Sequence, residues 1–375
     1  MNTLITVGLA IIAFWTILYL LTDREEKEEG LTVDMFVAMW RTKRLLGFID
    51  RLSRINRRFW KVYADIGIAV GFIGMAYVFY ALAKTAATTL SSRGEQAGVQ
   101  LVIPGLTIPL WYGLVGLAVV MVVHELSHGV VARAERLPLK SVGLVLLAVI
   151  PGAFVEPDEE ALASSRLRSR LRVYGAGSMA NIVTAFIAAL ILSYAILPIL
   201  TPSGIEVGGI IPGSPADGVL HKGDVIIGID GKEVKTMDEF IEAMNSTKPG
   251  QTLVLSLLRG GEKIEAELTL AEHPENPGKG FIGINPIQHV VPKIGPSWLI
   301  LPLFFSVYWI HVLNLGIGLM NLFPLVPLDG GRMLDDLFKE YLPETVARSL
   351  RYFTIGVGLF LLALNLWPAV MNLIG

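Results

Sequence analysis

Six stretches of this chain are long and apolar enough to cross a lipid bilayer, and they constrain the fold more than any other feature. A helix needs about 20 predominantly apolar residues to span the hydrocarbon core. The composition agrees, since 53% of the residues are hydrophobic and only 17% are charged. We therefore predict a polytopic α-helical membrane protein with about six transmembrane helices. The predicted spans are 4–21, 66–86, 108–132, 173–200, 298–319 and 349–374.

The composition also excludes several classes of function and of metal site. The formal net charge is −2 and no basic segment is interleaved with aromatic residues, so nothing indicates nucleic-acid binding. The chain has no cysteine, which excludes disulfides and thiolate metal ligands. Residues 1–21 have the length of a signal peptide but lack a basic n-region and a small-residue cleavage site, so we interpret them as a retained first span.

Lysine and arginine residues alternate between the loops and predict an orientation, because cytoplasmic loops carry the excess of these residues. The loop 23–61 holds ten of them, the loop 88–106 holds only Arg93, and the segment 133–172 is again basic. We expect these basic segments, and the later loop 332–351, to lie on the cytoplasmic side. Both termini and the long polar insert are then expected outside the cell membrane.

Two further segments are expected at the membrane surface or within it. Apolar residues of 23–61 recur at helical spacing, which favours an amphipathic helix on the headgroups, with a soluble helical linker as the alternative. The apolar segment 141–157 is interrupted by Pro151-Gly152, and each half is too short to span. A membrane-associated β-hairpin turning at Pro151-Gly152 is favoured over a seventh, kinked span, which would upset the charge alternation.

The polar insert, 203–272, differs from the membrane spans. Its apolar residues occur at every second position, as in β-strands, and these stretches are separated by residues typical of turns. Hairpin turns are expected at Asp230-Gly231 and at Gly260-Gly261, and a short helix is expected after the first strand. The insert resembles a PDZ domain of the bacterial type, through PGSPA at 212–216, KGDVI at 222–226 and IDG at 229–231. The resemblance implies peptide binding by strand addition at a sheet edge, and a plug or spacer that binds nothing is the alternative.

A His-Glu-x-x-His motif lies near the end of the third span, at residues 124–128. Residues i and i+4 share one helix face, so His124 and His128 are placed to bind a single metal ion. Glu125 is placed to act as general base on a water that the metal activates. Ionisable groups inside a membrane helix are costly and by default mark a functional site. The motif therefore predicts metal-dependent hydrolysis within the bilayer or at its edge.

A third ligand is required, because catalytic zinc sites usually have three protein ligands and one open position. The fifth span ends in NLFPLVPLDGG at 321–331, where two prolines end the helix and leave irregular backbone. Asp329 follows at the depth of His124 and His128 in the predicted orientation, which favours it as the third ligand. A helix cap or a solvated interfacial residue is the alternative interpretation of Asp329.

Two motifs together, HELSH in one membrane helix and N-x-x-P-x-x-P-x-D-G-G in a later one, resemble the site-2 protease family of intramembrane zinc metalloproteases. The resemblance covers roughly residues 108–335. It implies that one zinc ion is held by His124, His128 and Asp329 while Glu125 activates water. It also implies that Asn321 lies beside the metal and takes part in catalysis.

The fourth span carries Gly177 and Asn181 on one helix face, where the family often has Gly-Pro-x-x-Asn. Ser178 replaces the proline of that pattern, which removes a kink signal and leaves the asparagine in position. We predict that Asn181 polarises the scissile carbonyl or holds substrate backbone. The alternative is a packing seam in which Asn181 is bonded to a neighbouring backbone.

The predicted function is zinc-dependent endoproteolysis of the transmembrane segments of single-pass membrane proteins, near the cytoplasmic side of the bilayer, with a peptide or protein end as a further ligand of the PDZ domain. A membrane scaffold with a vestigial site and a metal transporter are the alternatives. Intact Glu125 argues against the scaffold, and ligands clustered at one depth argue against the transporter. The predicted domains are 1–64 (first span and basic segment), 65–202 (membrane core), 203–272 (PDZ domain), 273–298 (linker) and 299–375 (membrane core with the Asp329 motif).

Overall fold

The computed structural model describes residues 3–22, 29–91, 102–147, 150–274 and 276–374. They divide into two compact units, of which the first is Met1–Leu190 with Phe305–Gly375 and the second is Ile191–Phe304. The charged residues 23–28 and the loop residues 92–101, on which part of the predicted orientation depends, lie outside the described residues.

Most of the described chain is helical. The α-helices are α1 Thr3–Leu21, α2 Leu46–Ile55, α3 Arg57–Ser91, α4 Leu110–Ala134, α5 Glu159–Ala163, α6 Leu167–Ile191, α7 Met237–Asn245, α8 Ser297–Met320, α9 Asp329–Tyr341 and α10 Glu344–Ile374. Within the described residues, five helical stretches are long and apolar enough to cross a membrane: Arg57–Ser91, Leu110–Ala134, Leu167–Ile199, Ser297–Met320 and Glu344–Pro368. The first predicted span is also helical, as α1. The prediction of a polytopic α-helical membrane protein is confirmed.

The first unit also contains an antiparallel four-stranded sheet. Its strands are β1 Gly30–Asp34, β2 Val37–Thr42, β3 Leu139–Leu147 and β4 Ile150–Pro157, in the order β1-β2-β3-β4. The predicted hairpin is therefore confirmed as β3–β4. The expected turn at Pro151-Gly152 is wrong, because these residues pair inside β4 with Leu146 and Val145. The tip residues 148–149 lie outside the described residues.

In the described part of 23–61, the expected amphipathic helix is present only as α2, and α3 begins directly after it at Arg57. Residues 30–42 form β1 and β2 instead, because β2 pairs along its whole length with β3 and gains backbone hydrogen-bond partners there. Helix α2 buries Ile49 against Val130 and Val131 of α4. The segment before α3 thus extends the predicted hairpin into a sheet and holds it against the motif helix.

Charged residues at one end of the helices connect α3, α4 and α6. Arg172 of α6 donates to both carboxylate oxygens of Asp65 on α3 and, at 2.8 Å, to Glu135 at the end of α4. Arg168 reaches the same Asp65. Small residues bring α3 and α6 close together, since a Cβ atom on Gly175 would lie 3.0 Å from the carbonyl oxygen of Gly67. This packing fixes α6 beside α4.

The second unit is an αβ domain built on one main sheet. Its strands are β5 Leu200–Ile210, β6 Val225–Ile229, β7 Lys232–Glu233, β8 Thr252–Arg259, β9 Glu262–Thr269, β10 Ala271–Glu272, β11 Gly280–Phe281 and β12 Ile284–Pro292. The main order is β12-β5-β6-β8-β9, with β7 paired to β6. The expected turns are present, with positive φ at Asp230 and Gly231 and at Gly260 and Gly261. This is the predicted inserted PDZ-like domain.

Two details of the insert differ from the prediction. Turns replace the short helix expected after the first strand, between β5 and β6. The expected linker 273–298 contains β11 and β12, and β12 pairs with β5 from Ile284 to Pro292. This long-range pairing extends the domain twenty residues beyond 272, to residue 292.

Candidate metal centre

Helix α4 positions two of the three predicted ligands. His124 and His128 lie one turn apart, and their Nε2 atoms are 3.1 Å from each other. Both side chains point inward, toward α6 and the start of α9, and His124 is buried. The helix face that carries them is the one predicted from the His-Glu-x-x-His spacing.

Asp329 is the first residue of α9 and follows the irregular segment that ends α8. Its Oδ2 atom lies 3.3 Å from Nε2 of His124 and 3.3 Å from Nε2 of His128. The next two residues must be glycine, because a Cβ atom on Gly330 would lie 2.0 Å from the carbonyl oxygen of Leu322 and one on Gly331 would meet Leu325 backbone. The glycines therefore let the chain fold back and bring Asp329 to the histidines.

The three side chains fit a divalent metal ion with an open coordination position. One donor atom from each of His124, His128 and Asp329 lies within 4.8 Å of the others. The Oδ2 atom of Asp329 is buried and, among the described residues, no group other than these two imidazoles is a polar partner for it. Two imidazoles and a carboxylate are ligands that zinc accepts, and three protein ligands are typical of a catalytic zinc site.

Gly177 of α6 leaves open space beside the ligand atoms. A Cβ atom at this position would lie 2.4 Å from Nε2 of His128 and 2.7 Å from Nε2 of His124. Any other residue would therefore fill the place where a metal ion reaches the histidines. The spacing of Gly177 four residues before Asn181 was the sequence signal for this face of α6.

The second ring nitrogen of each histidine also has a partner on α6. His128 donates from Nδ1 to the carbonyl oxygen of Val173 over 2.7 Å, which leaves its Nε2 free to bind metal. Nδ1 of His124 lies 3.0 Å from Nδ2 of Asn181. Both partners orient the imidazole rings, and the carbonyl oxygen of Val173 also fixes the metal-binding tautomer of His128.

Glu125 lies next to the ligands and contacts the sheet. The backbone N–H of Val155 in β4 donates to Oε2 of Glu125 over 3.0 Å. Because β4 is an edge strand of its sheet, this N–H points away from β3 and toward the candidate site. No local pattern predicts this contact, since it joins residues 30 positions apart.

A cavity of about 310 Å³ opens onto the three ligands and Glu125. Asn321 also lines this cavity, and its carbonyl oxygen accepts a hydrogen bond from the N–H of Gly330. Tyr174 and Arg332, which the sequence reasoning missed, line it as well. Water therefore has space to stand beside the base and the candidate metal position.

Two other polar residues of the membrane helices lie away from these contacts. His311 of α8 donates from Nδ1 to the carbonyl oxygen of Ala185 over 2.8 Å. Asn314 is fully buried and donates to the carbonyl oxygen of Ile310 in its own helix. Neither residue lines the cavity beside the ligands.

Comparison with known proteins agrees with this geometry. The sequence pattern of peptidase family M50 matches residues 112–365, which is more than half of the chain. The chain belongs to peptidase family M50. The matched region contains both motif segments, so the predicted resemblance to site-2 proteases is confirmed and the protein is a member of a family of membrane proteases.

Similar proteins include archaeal, plant and bacterial examples. An uncharacterized protein of Methanocaldococcus jannaschii is 27% identical over 353 residues, which cover 92% of this chain and 88% of the relative. A membrane-bound transcription factor site-2 protease homolog of Arabidopsis thaliana is 28% identical over 235 residues, covering 59% of this chain but only 45% of the relative. A solved PDZ domain of an SdrC-like protein from Listeria monocytogenes is 33% identical, covering 23% of this chain and 88% of that domain, with a TM-score of 0.22.

Proposed function

We propose that this M50 peptidase is a zinc-dependent endopeptidase that cleaves the transmembrane segments of single-pass membrane proteins. One observation carries the proposal. His124, His128 and Asp329 converge with Glu125 on one cavity, and the helix that bears the histidines is long and apolar enough to span a membrane. Ionisable side chains on such a helix are energetically costly, and by default they mark a functional site.

One zinc ion per chain would be held by His124, His128 and Asp329, where it would polarise the scissile carbonyl and lower the pKa of water. Glu125 takes a proton from the attacking water and returns it to the leaving amine. Asn321 lines the same cavity and is placed to donate to the substrate carbonyl.

The substrate helix has to unwind locally, because a helix shields its own backbone. We propose that strand β4 holds the unwound segment. Its outer edge faces Glu125 and, among the described strands, is not paired with another strand. A substrate strand added at this edge would accept a hydrogen bond from Val155 N–H. That bond would replace the present one to Glu125, and the scissile peptide would lie beside the base.

The proposed orientation follows from the loop charges. The metal centre is placed toward the cytoplasmic side of the cell membrane, and the PDZ-like domain is placed outside. The domain has an edge strand, β12, at which an extended peptide end can add. We assign it the role of a filter that limits which membrane-anchored proteins reach the protease.

A comparison of wild type with Glu125→Gln tests this function. Each purified protein is loaded with zinc in detergent and incubated with a single-pass membrane substrate, and product masses locate the cut. Wild type is expected to cut within the apolar segment, and the variant is expected to be about 10²–10⁴-fold slower with unchanged zinc content. Equal cleavage by both proteins, or none by wild type across several substrates, would contradict the proposal.

A further inference from the structure

Asn181 contacts a predicted metal ligand, His124, directly. A residue that only binds substrate does not require such a contact. Asn181 is fully buried in α6, and its amide lies 3.0 Å from Nδ1 of His124. The other amide atom, Oδ1, is buried and has no hydrogen-bond partner. Among the described residues, the side chain therefore has one hydrogen-bond partner, His124, and one polar atom without a partner at the same place.

The ring of His124 requires different partners in its two tautomers. Its Nε2 atom faces Asp329 and His128, so Nε2 is the atom available to a metal ion. In the metal-free ring, a proton on Nε2 faces Asp329 and Nδ1 accepts from the Asn181 amide N–H. With Nε2 committed to zinc, the ring proton is on Nδ1, which then needs an acceptor.

An asparagine amide satisfies both tautomers in one place. Rotation by 180° about its terminal torsion exchanges Oδ1 with Nδ2, so Oδ1 then accepts from Nδ1–H of His124. The carbonyl oxygen of Val173 already provides the equivalent acceptor for His128. With Asn181 in this role, both histidine ligands have their outer nitrogens held by α6.

We propose that Asn181 is a positioning residue that holds the zinc-binding tautomer of His124. The inference rests on the proposed function, because it assumes that His124 binds zinc. It differs from a substrate-binding role in what it controls. A positioning residue sets the affinity for zinc, whereas a residue that binds substrate or the oxyanion changes the rate at saturating zinc and leaves zinc affinity unchanged.

The test measures the zinc dissociation constant of the full-length protein in detergent, by competition with a chromogenic chelator. Asn181→Leu and Asn181→Ala remove the acceptor, and we expect zinc affinity to fall about 10–100-fold. Asn181→Asp keeps an acceptor and is expected to bind zinc at least as tightly as wild type. Two apolar variants are compared because one of them can fail to fold, which size-exclusion chromatography detects.

Asn314→Leu is the matched control. Asn314 is also fully buried in a membrane helix with an unpartnered Oδ1, but its contact is to its own helix. The control is expected to keep wild-type zinc affinity. Saturating zinc is expected to restore most of the cleavage rate to Asn181→Ala.

Wild-type zinc affinity in folded Asn181→Leu or Asn181→Ala would overturn the positioning role and leave the proposed protease function intact. Affinity in Asn181→Asp as weak as in Asn181→Ala would also overturn it. If wild type itself binds no zinc, the proposed function and this inference both fail. These outcomes are distinct because zinc binding is measured without reference to activity.

Discussion

Gly177 is as important to the candidate metal centre as the residues that would bind the ion. The ligand atoms of His124 and His128 approach α6 so closely that a Cβ atom at position 177 would lie 2.4 Å from one and 2.7 Å from the other. Their rings have little freedom to move, because Val173 and Asn181 hold the outer nitrogens. Glycine at position 177 therefore keeps open the space in front of the two ligand atoms.

Gly177→Ala is expected to abolish zinc binding or to reduce its affinity more than tenfold. The added methyl group would overlap the Nε2 atoms of both imidazoles, so the rings would have to shift against the contacts with Val173 and Asn181 that hold them. Zinc per chain, measured by atomic absorption after gel filtration, checks the prediction. Gly316→Ala on α8 is the control, since a Cβ atom there meets nothing within 4 Å. Normal zinc content in Gly177→Ala would show that the ion lies elsewhere.

Among the secondary-structure elements, strand β4 brings the four-stranded sheet into contact with Glu125, through the N–H of Val155. Val155→Pro removes the outward N–H, and an edge strand tolerates proline where its N–H does not join the ladder. We expect kcat/KM to fall about 2–10-fold, the effect of one lost hydrogen bond, with zinc binding retained. Val155→Ala keeps the N–H and controls for the side chain. Equal losses in both variants would count against strand addition at β4.

The PDZ-like domain contains a buried carboxylate, Asp224, paired with the partly exposed Arg259, and this pair makes the stability of the domain depend on pH. Burial alone raises the pKa of Asp224, but hydrogen bonds from Arg259 and from the His221 backbone outweigh burial, so the pKa lies below its ordinary value. The pair therefore contributes stability fully above the ordinary pKa of about 3.9. That contribution is lost as the pH falls through the lower folded-state pKa.

Arg259→Met is expected to speed hydrogen exchange of β6 and β8 at neutral pH, because the buried Asp224 carboxylate then lacks its charged partner. The difference from wild type should shrink as the pH falls below 4, where the carboxylate becomes protonated in both proteins. Lys263→Met removes a charge from the exposed side of β9 without touching Asp224 and is the control. A difference that stays constant with pH would contradict this account.

Local sequence patterns predicted helices and hairpin turns. They did not predict which distant strands pair with each other. Helical spacing placed His124 and His128 on one face, and turn glycines at Gly231 and Gly261 located hairpins correctly. These signals depend on neighbouring residues only. The pairing of β2 with β3 and of β12 with β5 joins segments about 80–105 residues apart. The residues of one strand do not identify the strand with which it pairs.

The same limit applied inside the candidate site. Asp329 was predictable because the two prolines before it end a helix at the depth of the histidines. The contact of Asn181 with His124 could not be predicted from the sequence, because it depends on how closely α6 packs against α4. Its predicted role as a substrate-binding residue remains untested, and the geometry favours a contact to the metal ligand.

At the scale of the whole molecule, the protease and the filter are proposed as separable functions. Residues Leu200 and Pro292 are paired across β5 and β12, so a short glycine linker can join them after deletion of 201–291. A deletion of 204–272 would instead leave β12 without its sheet. We expect the larger deletion to keep zinc binding and peptide hydrolysis while changing which membrane substrates are cut. Loss of all hydrolysis in a well-folded deletion would contradict the filter role.

Zinc reconstitution tests whether His124, His128 and Asp329 hold the one zinc ion on which peptide hydrolysis is proposed to depend. Purified protein is stripped with a chelator and titrated with zinc while cleavage of a transmembrane substrate is followed. We predict that activity is absent without metal, rises linearly and saturates at one equivalent in wild type, and stays absent in Asp329→Ala at the same zinc concentrations. Full activity in the stripped protein, or wild-type titration by Asp329→Ala, would contradict the account.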